Sequence, residues 1–203
     1  MTTMLRWSRL SAVNAILRAA GEAPVNSLES GVNDTLIAEA VLDEHTLRWL
    51  TANNIVSSTF IQEWTPDDDG FINLPTGTLY AKPTDPDMPY VQRGSSPTRL
   101  WNVTDNTYVF EEAVELRVTV GVSFEELPVS SQQAIVDSAR VEYQMFQQGD
   151  PAVHALLSNE AMRSRIVGIG KDASADGKTV FDSKHSNAYK WALIRRYSPG
   201  GRS

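Results

Sequence analysis

The chain has 203 residues, a formal net charge of −7 and no cysteine. That length holds one or two small domains, and 41% hydrophobic with 21% charged residues is an ordinary globular balance. Disulfides, thiolate metal sites and cysteine nucleophiles are excluded together, and no apolar run approaches the ~20 residues that span a bilayer.

The N-terminus, Met1 to Arg9, carries no apolar h-region and is read as lacking a signal peptide; a reducing compartment fits. Leu10, Val13, Leu17 and Ala20 recur at helical spacing and predict a helix near 9–20, with Ser8 or Ser11 to cap it. Gly21 can take the left-handed conformation that closes a helix, and Pro24 forbids its continuation. Asn33 or Asp34 supplies an N-cap oxygen for a second helix near 34–53, with Ile37, Val41, Leu42 and Trp49 on one side and Leu47 and Leu50 adding to it.

Between 55 and 122 the texture changes to short β-branched and aromatic runs broken by Pro, Gly and Asp. Strands are predicted at Thr59–Thr65, Phe71–Leu74, Tyr90–Arg93, Arg99–Asn102, Tyr108–Phe110 and Ala113–Val120. The last alternates Val114, Leu116, Val118 and Val120 with Glu115, Arg117 and Thr119, so one of its faces is wet. Pro66–Gly70 and Asp105–Asn106 are turn chemistry, and Pro83, Pro86 and Pro89 make 81–89 a loop.

Helical period returns after Pro128. Ser130 or Ser131 is expected to cap a helix near 131–148 whose inward stripe is Ile135, Ala139, Tyr143 and Phe146. Gly149 stops it, and Asp150-Pro151 starts another, with Asp as N-cap and Pro where a missing N–H costs nothing. Val153, Leu156, Leu157 and Ala161 face inward, and Gly168 and Gly170 end the helix. The expected fold is therefore α+β: residues 1–54 and 124–170 form a four-helix bundle, 55–123 an inserted antiparallel β domain, and 171–203 an extended C-terminal arm.

Charge divides the same way. Residues 1–170 carry 11 Lys+Arg against 22 Asp+Glu, whereas 171–203 carry 7 against 3. An acidic body repels nucleic-acid phosphates. The basic arm holds one apolar island, and Tyr189, Trp191, Ile194, Arg195, Arg196 and Tyr197 are its candidate docking residues.

No catalytic constellation is found. Asp67–Gly70 resembles a calcium loop, but the first and twelfth places hold Thr65 and Thr76, so the bidentate carboxylate is missing. Gly168-Ile169-Gly170-Lys171 is followed by Asp172, where a phosphate loop needs Ser or Thr. His45, His154 and His185 lie far apart and form no metal-ligand pair. No cofactor or metal is expected. The paired acids Glu111-Glu112 and Glu125-Glu126 leave a cell-wall or capsule polysaccharide hydrolase as the alternative reading.

Three blocks carry a resemblance: Asn14-Ala15-Ile16-Leu17 followed by Gly21–Leu28; Trp64, Pro66-Asp67, Asp69-Gly70, Ile72 and Leu74-Pro75 ahead of Tyr90–Gly94 and Leu100-Trp101; and Phe124–Pro128 leading into the helix at Gln132–Phe146. In their order and spacing over residues 8–167 they resemble the tail tubular protein A family, the head-to-tail adaptor of short-tailed T7-like bacteriophages. The resemblance implies a structural virion protein, not an enzyme. It implies a ring of twelve copies at the head–tail junction of the virion tail, assembled in the host cytoplasm. The ring would sit between portal protein and tail nozzle, with tail fibres near the lower junction. Genomic DNA would pass through the bore without specific binding, and no membrane insertion is implied.

Overall fold

The computed structural model describes residues 6–31, 33–52, 58–94 and 96–175. Among them are four α-helices, α1 (Arg9–Ala19), α2 (Asn33–Ala52), α3 (Val129–Gln147) and α4 (Pro151–Ala175). Five strands lie between the helical pairs: β1 (Thr59–Trp64), β2 (Thr78–Pro83), β3 (Tyr90–Arg93), β4 (Arg99–Asn102) and β5 (Val114–Val120). The class is α+β with antiparallel sheets, as the sequence predicts.

Local chemistry punctuates the first helix closely. The Ser8 hydroxyl accepts from the Ser11 N–H at 3.2 Å while the Ser11 hydroxyl accepts from the Ser8 N–H at 2.9 Å, a reciprocal box that satisfies two orphan donors. Gly21 sits at φ +74°, and the next N–H, of Glu22, bonds back to the Leu17 carbonyl at 3.0 Å. The Asn14 side chain then clamps the outgoing chain, donating to the Val25 carbonyl and accepting from the Val25 N–H. Helix α2 begins at Asn33, so Asn33 and Asp34 lie in its first turn and not at the cap.

The helical core is drawn from α1, α2 and α3 plus Phe124 and Leu127, with Ile16, Leu42, Ile135 and Tyr143 all at most 1% exposed. Helix α3 is its centre: α1, α2 and α4 all pack against it. Helix α4 lies along α3 and adds only Ile169 at the rim of that core, so the four helices are three around one core and a fourth laid on the outside.

Several expectations for this half are corrected. Helix α3 starts at Val129, which places Ser130 and Ser131 inside it; Pro128 takes the cap position. Phe146 continues the angular stripe of Ile135, Ala139 and Tyr143 but is 73% exposed, because it lies in the last turn of α3, beyond the packed stretch. On α4, Leu157 is buried while Leu156 is 61% exposed. The Asp150 carboxylate does cap α4, accepting from the N–H groups of Ala152 and Val153.

Gly168 and Gly170 do not end α4, which continues to Ala175. A Cβ at Gly168 would stand 2.8 Å from the Trp49 indole and 3.0 Å from the Ser130 carbonyl oxygen. The glycine is there so that α4 can cross close to α2 and the start of α3. Residues 171–175 therefore belong to the helix, and Asp172 is buried.

The β unit is a three-stranded antiparallel sheet in the order β1-β5-β2 with a separate β3-β4 pair. Its own core is small: Ile72, Leu74, Ala81, Leu100, Phe110, Val114, Leu116 and Val118. β5 keeps the predicted alternation as far as Val118, with Val114, Leu116 and Val118 inward and Glu115 outward, but Thr119, expected on the wet face, is buried. The segment 81–89, expected as loop, begins with half of β2. Pro83 ends that strand opposite Leu116, at the sheet edge where a missing N–H breaks no ladder bond. Phe71–Leu74 and Tyr108–Phe110 are not strands; single bridges tie Phe71 to Val109 and Asn73 to Arg99. Leu79 and Val122 pack on the helical core and join the two halves.

Candidate assembly surface

The features that resemble catalytic motifs prove to be structural. Asp67 spends its carboxylate on the turn it begins: one oxygen accepts from the N–H groups of Asp69 and Phe71, at 3.1 and 2.8 Å, and the other from the Asn73 amide at 2.7 Å. Glu126 folds back to accept from the Ser123 N–H and hydroxyl, closing a box at 123–126; those bonds hold its carboxyl below the usual range. Gly168–Lys171 is helix. No group of three metal-ligating side chains occurs among the described residues. No described helix is long and apolar enough to cross a membrane.

What the helical body does present is a groove. It is floored by Ser138, Val141, Glu142 and Met145, the i, i+3, i+4, i+7 line of α3 that α1 does not cover. His45 of α2 forms one wall and His154 of α4 the other, and the open space is about 490 Å³. Phe146 and Met145, 73% and 56% exposed, stand at its mouth.

One charged cluster sits on the α2 wall. Glu142 accepts from Arg48 at 2.7 Å and meets the His45 ring at 3.1 Å, while Arg48 also reaches Glu44. Burial works to raise the Glu142 carboxyl but is outweighed by the Arg48 hydrogen bond and the neighbouring positive charge, so it lies below the usual range. Burial lowers His45, against the pull of Glu142, and the ring is neutral at pH 7.

Among the described residues a second uncovered face runs along α4, where Leu156, Ile166 and Val167 are 61%, 45% and 51% exposed. In the β unit, β1 has a neighbour on one side only among the described residues and is solvent-facing through Phe60, Ile61, Gln62 and Glu63. Open strand edges and apolar helix faces of this extent are what one chain offers another. Sequence periodicity does not reveal the groove because three helices build it. The arm residues Tyr189, Trp191, Ile194, Arg195, Arg196 and Tyr197 lie outside the described residues.

Comparison with known proteins gives these surfaces a setting. The family model described as tail tubular protein matches residues 10–177. A relative named tail tubular protein A, from Klebsiella phage KP34, is 24% identical over 154 residues, covering 76% of this chain and 81% of that protein. The match spans both helical pairs and the whole β unit, so it concerns the architecture described above. The chain belongs to the tail tubular protein family and is a structural component of a phage tail, not an enzyme.

Proposed function

We propose that this chain is the head-to-tail adaptor of a short-tailed phage, with twelve copies closing a ring between the portal above and the nozzle below. The observation that carries the reading is the family match over residues 10–177 on a subunit whose apolar faces point outward at α3, α4 and β1. A monomer gains nothing from a Phe146 that is 73% exposed, whereas a subunit that buries it against its neighbour does. Two different faces on one subunit favour a head-to-tail contact, which closes by rotation into a ring.

The bore of that ring passes the genome during ejection. An acidic body suits this role, since a wall that bound phosphates tightly would hold the DNA back. The basic arm, through Tyr189, Trp191, Ile194, Arg195, Arg196 and Tyr197, anchors the subunit to the portal or to the next copy. Tail fibres attach at the lower junction. Assembly takes place in the host cytoplasm.

Electron microscopy of the virion tests this directly. The expected result is a closed ring of this chain at the portal–tail junction with twelve copies. Density for the chain elsewhere in the tail, or as isolated subunits, would overturn the adaptor role while leaving family membership intact.

A further inference from the structure

The groove over Ser138, Val141 and Met145 is uncovered among the described residues, and the sequence carries an aromatic and basic island at Tyr189–Tyr197. We infer that the groove of one subunit receives the Tyr189–Tyr197 segment of the neighbouring copy. The inference rests on the ring reading above and assigns it a contact.

Chemistry matches the two parts. The groove has an apolar floor with Met145 and Phe146 at its mouth, a surface suited to aromatic side chains such as Tyr189 and Trp191. Beside that apolar surface the floor carries Glu142, kept ionised by Arg48, with Glu44 of α2 next to it. The island brings Lys190, Arg195 and Arg196. Opposite charges at the rim of an apolar pocket set orientation and register. The whole-chain imbalance points the same way, an acidic body against a basic arm.

Reach admits the neighbour, and the head-to-tail ring selects it. Helix α4 leaves the groove at His154 and ends at Ala175, about 32 Å further on at 1.5 Å per residue. Gly168 already lies against Ser130, at the opposite end of α3 from Met145, so the chain emerges on the far side of the helical body. Thirteen residues then precede Tyr189, a span of at most roughly 45 Å. A strap of that length, leaving one end of a subunit and entering a groove at the other end of the next, is a head-to-tail contact.

The absence of cysteine makes the test clean. Full-length chain carrying Met145→Cys and Ala192→Cys is assembled into tails and treated with a short bis-maleimide. A parallel sample carries Val109→Cys, on the exposed side of the β unit, with Ala192→Cys. Both groove and control positions are exposed, so neither substitution removes a core contact. The expected result is a ladder of covalent oligomers from the groove pair, about tenfold stronger than from the control pair, because docking holds the two thiols at millimolar effective concentration. A fast-migrating monomer, in which the arm has closed on its own groove, would overturn the inference; so would a ladder no stronger than the control. Micrographs of the same particles separate the two levels: a closed ring without the ladder rejects this contact and keeps the adaptor, whereas no ring rejects the adaptor itself.

Discussion

The helical body and the β unit are built to different rules, and the contrast explains which surfaces are free. In the body, every helix finds α3, and a single core runs through α1, α2 and α3. The β unit spreads eight buried apolar residues over a three-stranded sheet, a two-stranded one and the turns between them, and leaves β1 exposed on both faces. A body with a shared core can carry unburied faces at little risk to its fold. A small sheet pair depends on its turns, and on whatever covers β1.

The largest expected effect tests the tightness of the body. Gly168→Leu would drive a side chain into the Trp49 ring and the Ser130 carbonyl, neither of which can move without opening the α2–α3–α4 junction. The clash is with a ring and a backbone oxygen, so the cost should exceed the roughly 1–3 kcal/mol of ordinary overpacking, and the expected outcome is no soluble folded protein. Gly168→Ala is the milder version, and thermal unfolding should place it below wild type. Equal stability of Ala, Leu and wild type would show that the close approach is not needed.

Next comes the separateness of the two cores. Leu116 is fully buried at the middle of β5, between β1 and β2. Truncating it to Ala should cost about 2–5 kcal/mol. If the halves are distinct cooperative units, hydrogen exchange will speed up across β1, β2 and β5 while α3 amides keep their protection. Uniform loss of protection would mean that Leu79 and Val122, which pack on the helical core, fuse the halves into one unit.

A smaller effect tests the β turns. Gly70 has φ +80°, and a Cβ there would lie 2.7 Å from the Val109 side chain. Gly70→Val should destabilise by roughly 1–3 kcal/mol from the backbone conformation alone, and denaturant titration reads it. Because Asp67 already spends both oxygens on the turn, millimolar calcium or a chelator should leave the melting temperature unchanged. A calcium-dependent rise would restore the calcium-loop reading.

These sites also mark how far the sequence was legible. Signals that act within a few residues were readable: the Ser8 box, the Gly21 stop and the Asp150-Pro151 restart all sit where their chemistry puts them. Strands β3 and β4 match their predicted limits, and β1 and β5 fall within one residue of theirs. What failed depends on the partner across space. Gly168 reads as a stop locally, and only the Trp49 ring makes it a crossing point. The prolines hid β2, since nothing local says that Pro83 ends an edge strand. Phe146 reads as core because the helical angle is right and the neighbours that would cover it are missing. The assembly surface was unreadable for that reason: it consists of places where the local pattern promises burial and the fold of one chain does not deliver it.

The smallest predicted effect is a pH dependence on the groove wall. Burial lowers the folded-state affinity of His45 for a proton below its unfolded value of about 6.5. The unfolded chain therefore binds more protons as pH falls, and stability declines from about pH 6.5 downward through the folded-state value. Glu142 has the same sign: its carboxyl lies below the unfolded value of about 4.3, so its contribution is present above that pH and fades on acidification below it. Protonated His45 would gain from Glu142 at 3.1 Å, which keeps the first step shallow. Melting temperature followed from pH 7.5 to 3 should fall by on the order of 1–2 °C from this source above pH 5, and His45→Gln should flatten that part of the curve while leaving the lower, carboxylate part in place. An unchanged slope in His45→Gln would move the origin of the pH dependence away from α2. The β unit carries no histidine between 58 and 120, so a helical-body slope that vanishes with His45 would again separate the two regions.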